Sequence, residues 1–193
     1  FNFQSISMAS INKCLIYFLI FAGSVSRIMA VDATNIKFQV KGIRDTFCLL
    51  AYSYGEQKYV RDTLRVDGAG KLAFHSKEKC PEGIYSLIIP GKKFFDFVMD
   101  GPQNFSVEVD TLNMLTSLKI KGSPENDLFL GYTKFIDQKT KEVMPLRQKA
   151  EKLMGKKDSL DIIQAKMNKI DAEVTKYQED LMKLHPQSFT AKL

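Results

Sequence analysis

Between Asn35 and Gly122, apolar and polar residues alternate in short runs. Ile36, Phe38 and Val40, then Val60, Leu64 and Val66 with a polar break at Asp62, then Phe105, Val107 and Val109 fall at every second position. That is the period of strands with one face on a core. Between them lie continuous apolar runs, Thr46 to Tyr54, Ile84 to Ile89 and Phe94 to Met99, which suit strands buried more fully. Leu72 to Phe74 and Leu118 to Ile120 bring the number to about eight, and the spacing of the turn signals is that of an all-β sandwich. Asp67-Gly68, Pro81-Glu82-Gly83, Pro90-Gly91 and Asp100-Gly101-Pro102 supply the turns, through preset or positive φ. No long helix interrupts the run, which argues against a parallel α/β sheet, whose neighbouring strands need long crossovers.

After Gly122 the period changes. Ser123-Pro124 combines a capping residue with proline at the first helical position, a helix start. Phe129, Tyr132, Ile136, Val143, Leu146, Ala150 and Leu153 follow at intervals of three and four, with Lys139 filling the one gap. Gly155 to Asp158 reads as a turn. Leu160, Ile163, Met167, Ile170, Val174, Tyr177, Leu181 and Leu184 then repeat the pattern up to His185-Pro186. Two such helices on a short loop pack antiparallel, and Pro145 predicts a kink or short break near Glu142–Pro145. The fold class expected is α+β: an antiparallel β-sandwich over 31–122 followed by an antiparallel helical hairpin over 123–193.

Residues 1–30 stand apart from this pattern. Lys13, the apolar run Cys14 to Ala22 and Ile28-Met29-Ala30 have the layout of a secretory signal peptide, with a true start at Met8 and a mature chain beginning near Val31. The run is too short to span a bilayer, and the alternative is an N-terminal anchor that stays attached. The expected location is the periplasm or cell envelope. Removing these residues takes away Lys13 and Arg27 and no acid, so the net charge falls by two, from +6 to +4. Basic and acidic residues are interleaved on both sides of Gly122, which argues against nucleic-acid binding.

Candidate chemistry is sparse. In an oxidising compartment Cys48 and Cys80 are a candidate structural disulfide. The alternative is two separate half-buried thiols, favoured because Cys48 lies in a strand-like run and Cys80 beside Pro81 in a turn. There is no Cys-x-x-Cys, and the two histidines, His75 and His185, come with no nucleophile, phosphate-loop or zinc motif, so no catalytic, cofactor or metal residue is assigned. Asp96, Asp100, Glu108 and Asp110 cluster in sequence but fit turns and a solvent face better than an acid pair. Tyr54-Gly55 and Phe94-Phe95 are the aromatic runs that could line a binding face. On the second helix Ile162, Tyr177 and Met182 widen the apolar stripe into a candidate interface, for a homodimer or for a further domain.

The order of motifs carries a resemblance. Asp67-Gly68-x-Gly70-x-Leu72-x-Phe74, Pro81-x-Gly83-x-Tyr85-x-Leu87, Gln103-x-Phe105-Ser106-Val107, Gly122-Ser123-Pro124-Glu125-Asn126 and Pro186-x-Ser188-Phe189 together resemble the N-terminal module of exported thiol-disulfide oxidoreductases of Gram-negative bacteria. In that family a β-sandwich domain of unknown function and a helical segment precede a thioredoxin-like domain. The redox cysteine pair belongs to that following domain, so the resemblance implies a non-catalytic module for docking, dimerisation or positioning of a thioredoxin-like domain beyond Leu193. A stand-alone envelope ligand-binding or adhesion sandwich is the competing expectation.

Overall fold

In the computed structural model the described residues are 34–193, apart from 56 and 154–156. The signal segment, its cleavage site and the start at Met8 lie outside them, as do Gly155 and Lys156 of the turn read at Gly155–Asp158, whereas Lys157 and Asp158 already belong to the following helix. The alternating runs form eight strands: β1 Thr34–Lys41, β2 Phe47–Tyr54, β3 Gln57–Arg65, β4 Lys71–Ser76, β5 Gly83–Ile89, β6 Lys93–Met99, β7 Asn104–Asp110 and β8 Lys119–Lys121. One sheet has the order β4-β1-β7-β8 and the other β3-β2-β5-β6. The chain crosses between the sheets after β1, β3, β4 and β6, so each sheet is stitched from distant segments.

The inner faces follow from period two. Ile36, Phe38, Val40, Leu72, Phe74, Phe105, Val107 and Val109 of the first sheet join Cys48, Leu50, Leu64, Tyr85, Leu87, Phe95, Phe97 and Met99 of the second in one buried cluster. Phe97 lies at its centre, edge-on to Phe38 at 5.8 Å and to Phe105 at 5.9 Å. Gly70 closes the turn into β4 at φ +76°, where an added Cβ would stand 2.4 Å from the Val40 carbonyl oxygen, so no side chain fits there.

Two details depart from the antiparallel, evenly alternating pattern. β1 and β7 pair in parallel, Ile36 beside Phe105 and Val40 beside Val109. The long crossover that such a pair demands is supplied by the intervening strands and not by a helix. Val60, on the predicted core phase of β3, is 57% exposed. The register shifts between Leu50 and Ala51 on the neighbouring strand, and a one-residue slip turns every following side chain to the other face.

Helix α1, Met114–Ser117, is a single turn before β8, followed by α2, Pro124–Lys152, and α3, Lys157–Leu184. A short 3-10 turn, Thr190–Lys192, ends the chain described. α2 runs through Pro145 without the expected break. Proline frees one carbonyl, that of Lys141, and both residues are exposed, so water can satisfy it. In the α2–α3 seam the predicted Tyr177 stacks on the predicted Tyr132 at 6.3 Å and, closer, on Phe135, which the stripe left out, at 4.1 Å, and Lys139 of α2 pairs with Glu173 of α3 at 2.6 Å. The seam is only half covered. Ile163 is buried, whereas Ile136, Val143, Leu146, Leu160, Ile170 and Val174 are intermediate.

Candidate functional site

The junction between sandwich and hairpin is built by a carboxamide. Ser123 caps α2, its Oγ accepting from the Asn126 backbone N–H at 3.4 Å and from Asn126 Nδ2 at 2.9 Å. Asn126, fully buried, then accepts from the Val98 N–H and donates to the Val98 carbonyl, both at 2.8 Å. Val98 lies on β6, the edge of the second sheet, so the side chain supplies both hydrogen bonds of a neighbouring strand and closes that edge. Gln103 repeats the device: its Oε1 accepts from the Cys80 N–H at 2.7 Å and its Nε2 donates to the Cys80 carbonyl at 2.8 Å. Neither residue was singled out for this role in the sequence. The signal was there, because Gln103 falls on the buried phase of β7 and Asn126 three residues before Phe129 on the apolar phase of α2.

The hairpin base and the second sheet line an apolar groove of about 530 Å³. Ile84 of β5 forms its floor, Phe129 and Tyr132 of α2 one side, and Leu181 and Met182 of α3 the other; Thr190, Ala191 and Leu193 complete the wall. Gln178 Nε2 donates to the Tyr132 hydroxyl at 3.0 Å at its margin. Of the predicted interface residues, Met182 is 49% exposed at this groove and Ile162 is 62% exposed, twenty residues away and thus about 30 Å along α3. Tyr177 is stacked in the helix seam. The three do not form one patch.

The thiols are held in the core. Cys48 and Cys80 are both free and buried, and the bridge weighed from the sequence is not formed. The Thr34 hydroxyl donates to Gln103 Oε1 at 2.5 Å and lies 3.7 Å from Cys80 Sγ, while Cys48 sits on β2 opposite Leu64. Burial pushes the Cys48 thiol up to about 11, leaving roughly 10⁻⁴ of it as thiolate at neutral pH. Burial likewise pushes Tyr85 up to about 12, with its hydroxyl donating to the Pro81 carbonyl at 3.1 Å.

Three of the four clustered carboxylates, Asp96, Glu108 and Asp110, pair with lysines. Glu108 is held below the usual range by the hydrogen bond from Lys121. Asp110 is held low by the Leu112 N–H and then by Lys41. Lys58 donates to Ser86 Oγ at 2.5 Å and to Asp96 at 2.9 Å, the Ser86 hydroxyl also donates to Asp96, and the ammonium lies 4.3 Å from the Phe94 ring centre. This trio contains a nucleophile type, but Lys58 offers Ser86 protons and no lone pair, and Ser86 is fully buried. It braces β3, β5 and β6. Phe94 and Tyr54 are exposed and Phe95 is buried. On the outer face of the first sheet Lys37, Gln39, Lys71, Ala73, Ser106 and Glu108 line a more open groove of about 490 Å³. Among the described residues no group of three or more His, Cys, Asp or Glu is placed to hold a metal, and no helix is long and apolar enough to cross a membrane.

These features define a two-sheet sandwich whose edge is sealed by the first turns of a helical hairpin. Residues 33–129 match the model of a domain of unknown function (DUF4369), and the chain belongs to that family. The match ends at Phe129, just past the turns that Asn126 ties to β6. No curated protein matches the chain. Among solved structures the chain has a slight likeness to (S)-allantoin synthase, 12% identical with a TM-score of 0.32 over 42% of this chain and 41% of that one. The chain thus spans less than half of that protein.

Proposed function

We propose that the chain is the non-catalytic module of an exported thiol-disulfide oxidoreductase, which docks or positions a thioredoxin-like domain. The observation that carries the non-catalytic half is the state of the thiols: thiol exchange needs an accessible thiolate, and Cys48 is buried with its pKa raised to about 11. Membership of the domain family and the order of motifs from Asp67 to Phe189 support the accessory half, and the apolar groove at the hairpin base is the surface such a module would use. The chain is expected to reduce insulin no faster than buffer. Turnover that disappears in Cys48→Ala would overturn the non-catalytic reading, and a complete gene without a thioredoxin-like domain would overturn the accessory one. The groove on the first sheet favours a second reading, a stand-alone ligand-binding sandwich, which that same gene sequence separates from the first.

A further inference from the structure

After α3 the chain doubles back. α3 ends at Leu184, and His185, Pro186 and Gln187 are exposed; Pro186 has no N–H with which to extend the helix. The following residues satisfy their hydrogen bonds locally. The Ser188 N–H donates to the His185 carbonyl at 3.0 Å, the Ala191 N–H to Ser188 Oγ at 3.0 Å, and the Lys192 N–H to the Phe189 carbonyl at 3.1 Å. A turn closed on itself in this way can move as a unit, because leaving its seat exposes few unsatisfied backbone groups.

Among the described residues, its hydrogen-bonded attachment to the body of the molecule converges on one atom. Glu125 Oε1 accepts from the Thr190 N–H at 2.7 Å and from the Thr190 hydroxyl at 2.5 Å. Thr190 is 4% exposed, so both donors would be left buried and unpaired if Glu125 withdrew without the turn moving. Glu125 itself stands on rigid ground, in the first turn of α2 beside Asn126, where a carboxylate also suits the helix dipole. The two sides of the contact therefore differ: one is bolted to β6 and the other follows an exposed bend.

We propose that residues 186–193 are a strap that opens and closes one wall of the apolar groove at the hairpin base, with Glu125 as its clasp. Closed, the strap sets Thr190, Ala191 and Leu193 against the groove floored by Ile84. Open, it widens access to Phe129, Tyr132 and Leu181. The device goes beyond the proposed function and holds whatever the module docks.

Hydrogen exchange of the whole chain read by mass spectrometry, with an environment-sensitive apolar dye as the second readout, tests it. In Glu125→Ala and Thr190→Val the protection of residues 187–193 is expected to fall by about tenfold or more, the loss of a charge-assisted contact. Protection of α2 and β6 stays as in the wild type, and dye fluorescence rises. Glu125→Gln, which keeps an acceptor, falls between. Unchanged protection in Glu125→Ala, or a wild type that exchanges there like a free peptide, would overturn the clasp. Protection lost equally across α2 and β6 would make Glu125 part of the fold and not a clasp, and a freed strap with unchanged dye binding would refute the wall.

Discussion

Single polar side chains at apolar-phase positions hold this molecule together where periodicity alone would leave it open. Asn126→Ala would strip both hydrogen bonds from Val98 and leave two buried backbone groups unpaired, at a cost of about 2–5 kcal/mol. Asn126→Asp should fail as well, because a carboxylate can accept from the N–H but cannot donate to the carbonyl. Urea unfolding reads both, and a loss below about 0.5 kcal/mol for Asn126→Ala would show that β6 does not depend on this contact. The buried Cys48 and Tyr85 give a pH dependence of definite sign. Their folded-state pKa values are raised, to about 11 from 9.0 and to about 12 from 10.0, so the unfolded chain releases these protons first. The stability they contribute is complete below the unfolded values and is lost as pH rises through the folded ones. Cys48 alone accounts for about 2–3 kcal/mol. Unfolding midpoints should drop above pH 9, and Cys48→Val should flatten the first part of that slope; a slope untouched by the substitution would exclude Cys48 as its source.

The hairpin shows how far an amphipathic stripe predicts burial. The stripe of α3 placed Leu160, Ile163, Ile170 and Val174 alike against α2, yet only Ile163 among them is buried, at 4% exposure. Among the described residues no third layer covers the distal hairpin, and two helices alone cover each other along a narrow seam. Ile163→Ala is accordingly expected to cost about 2–4 kcal/mol, and Ile170→Ala, at a site only partly buried, about 1 kcal/mol. Equal losses would mean that another surface covers Ile170 in solution. The strands were legible from alternation to within a residue or two at most ends, and so were both helices. The one-turn helix α1 was not, since four residues carry no period.

Across the whole molecule, stability should be uneven. The sandwich core packs on all sides, while the seam of the hairpin beyond Lys139 is half-buried throughout except at Ile163. Native-state hydrogen exchange should therefore show the amides of residues 139–172 opening at a lower free energy than those of β1, β5 and β7. Exchange of both sets at one common free energy would show instead that hairpin and sandwich unfold as a single unit.

The order of local elements, the alternation that marks each core face, the capped start of α2 and the scarcity of reactive groups are properties of neighbouring residues, so they are readable along the chain. The parallel pairing of β1 with β7, the exposure of Val60 after the register slip and the meeting of Glu125 with Thr190 join residues far apart in sequence. Nothing within one segment encodes where its partner lies. Gln103 and Asn126 stand between the two cases. A polar residue on an apolar phase announces that it must find partners, and only the tertiary structure supplies them, because a carboxamide can close on whichever backbone groups the packing brings within reach.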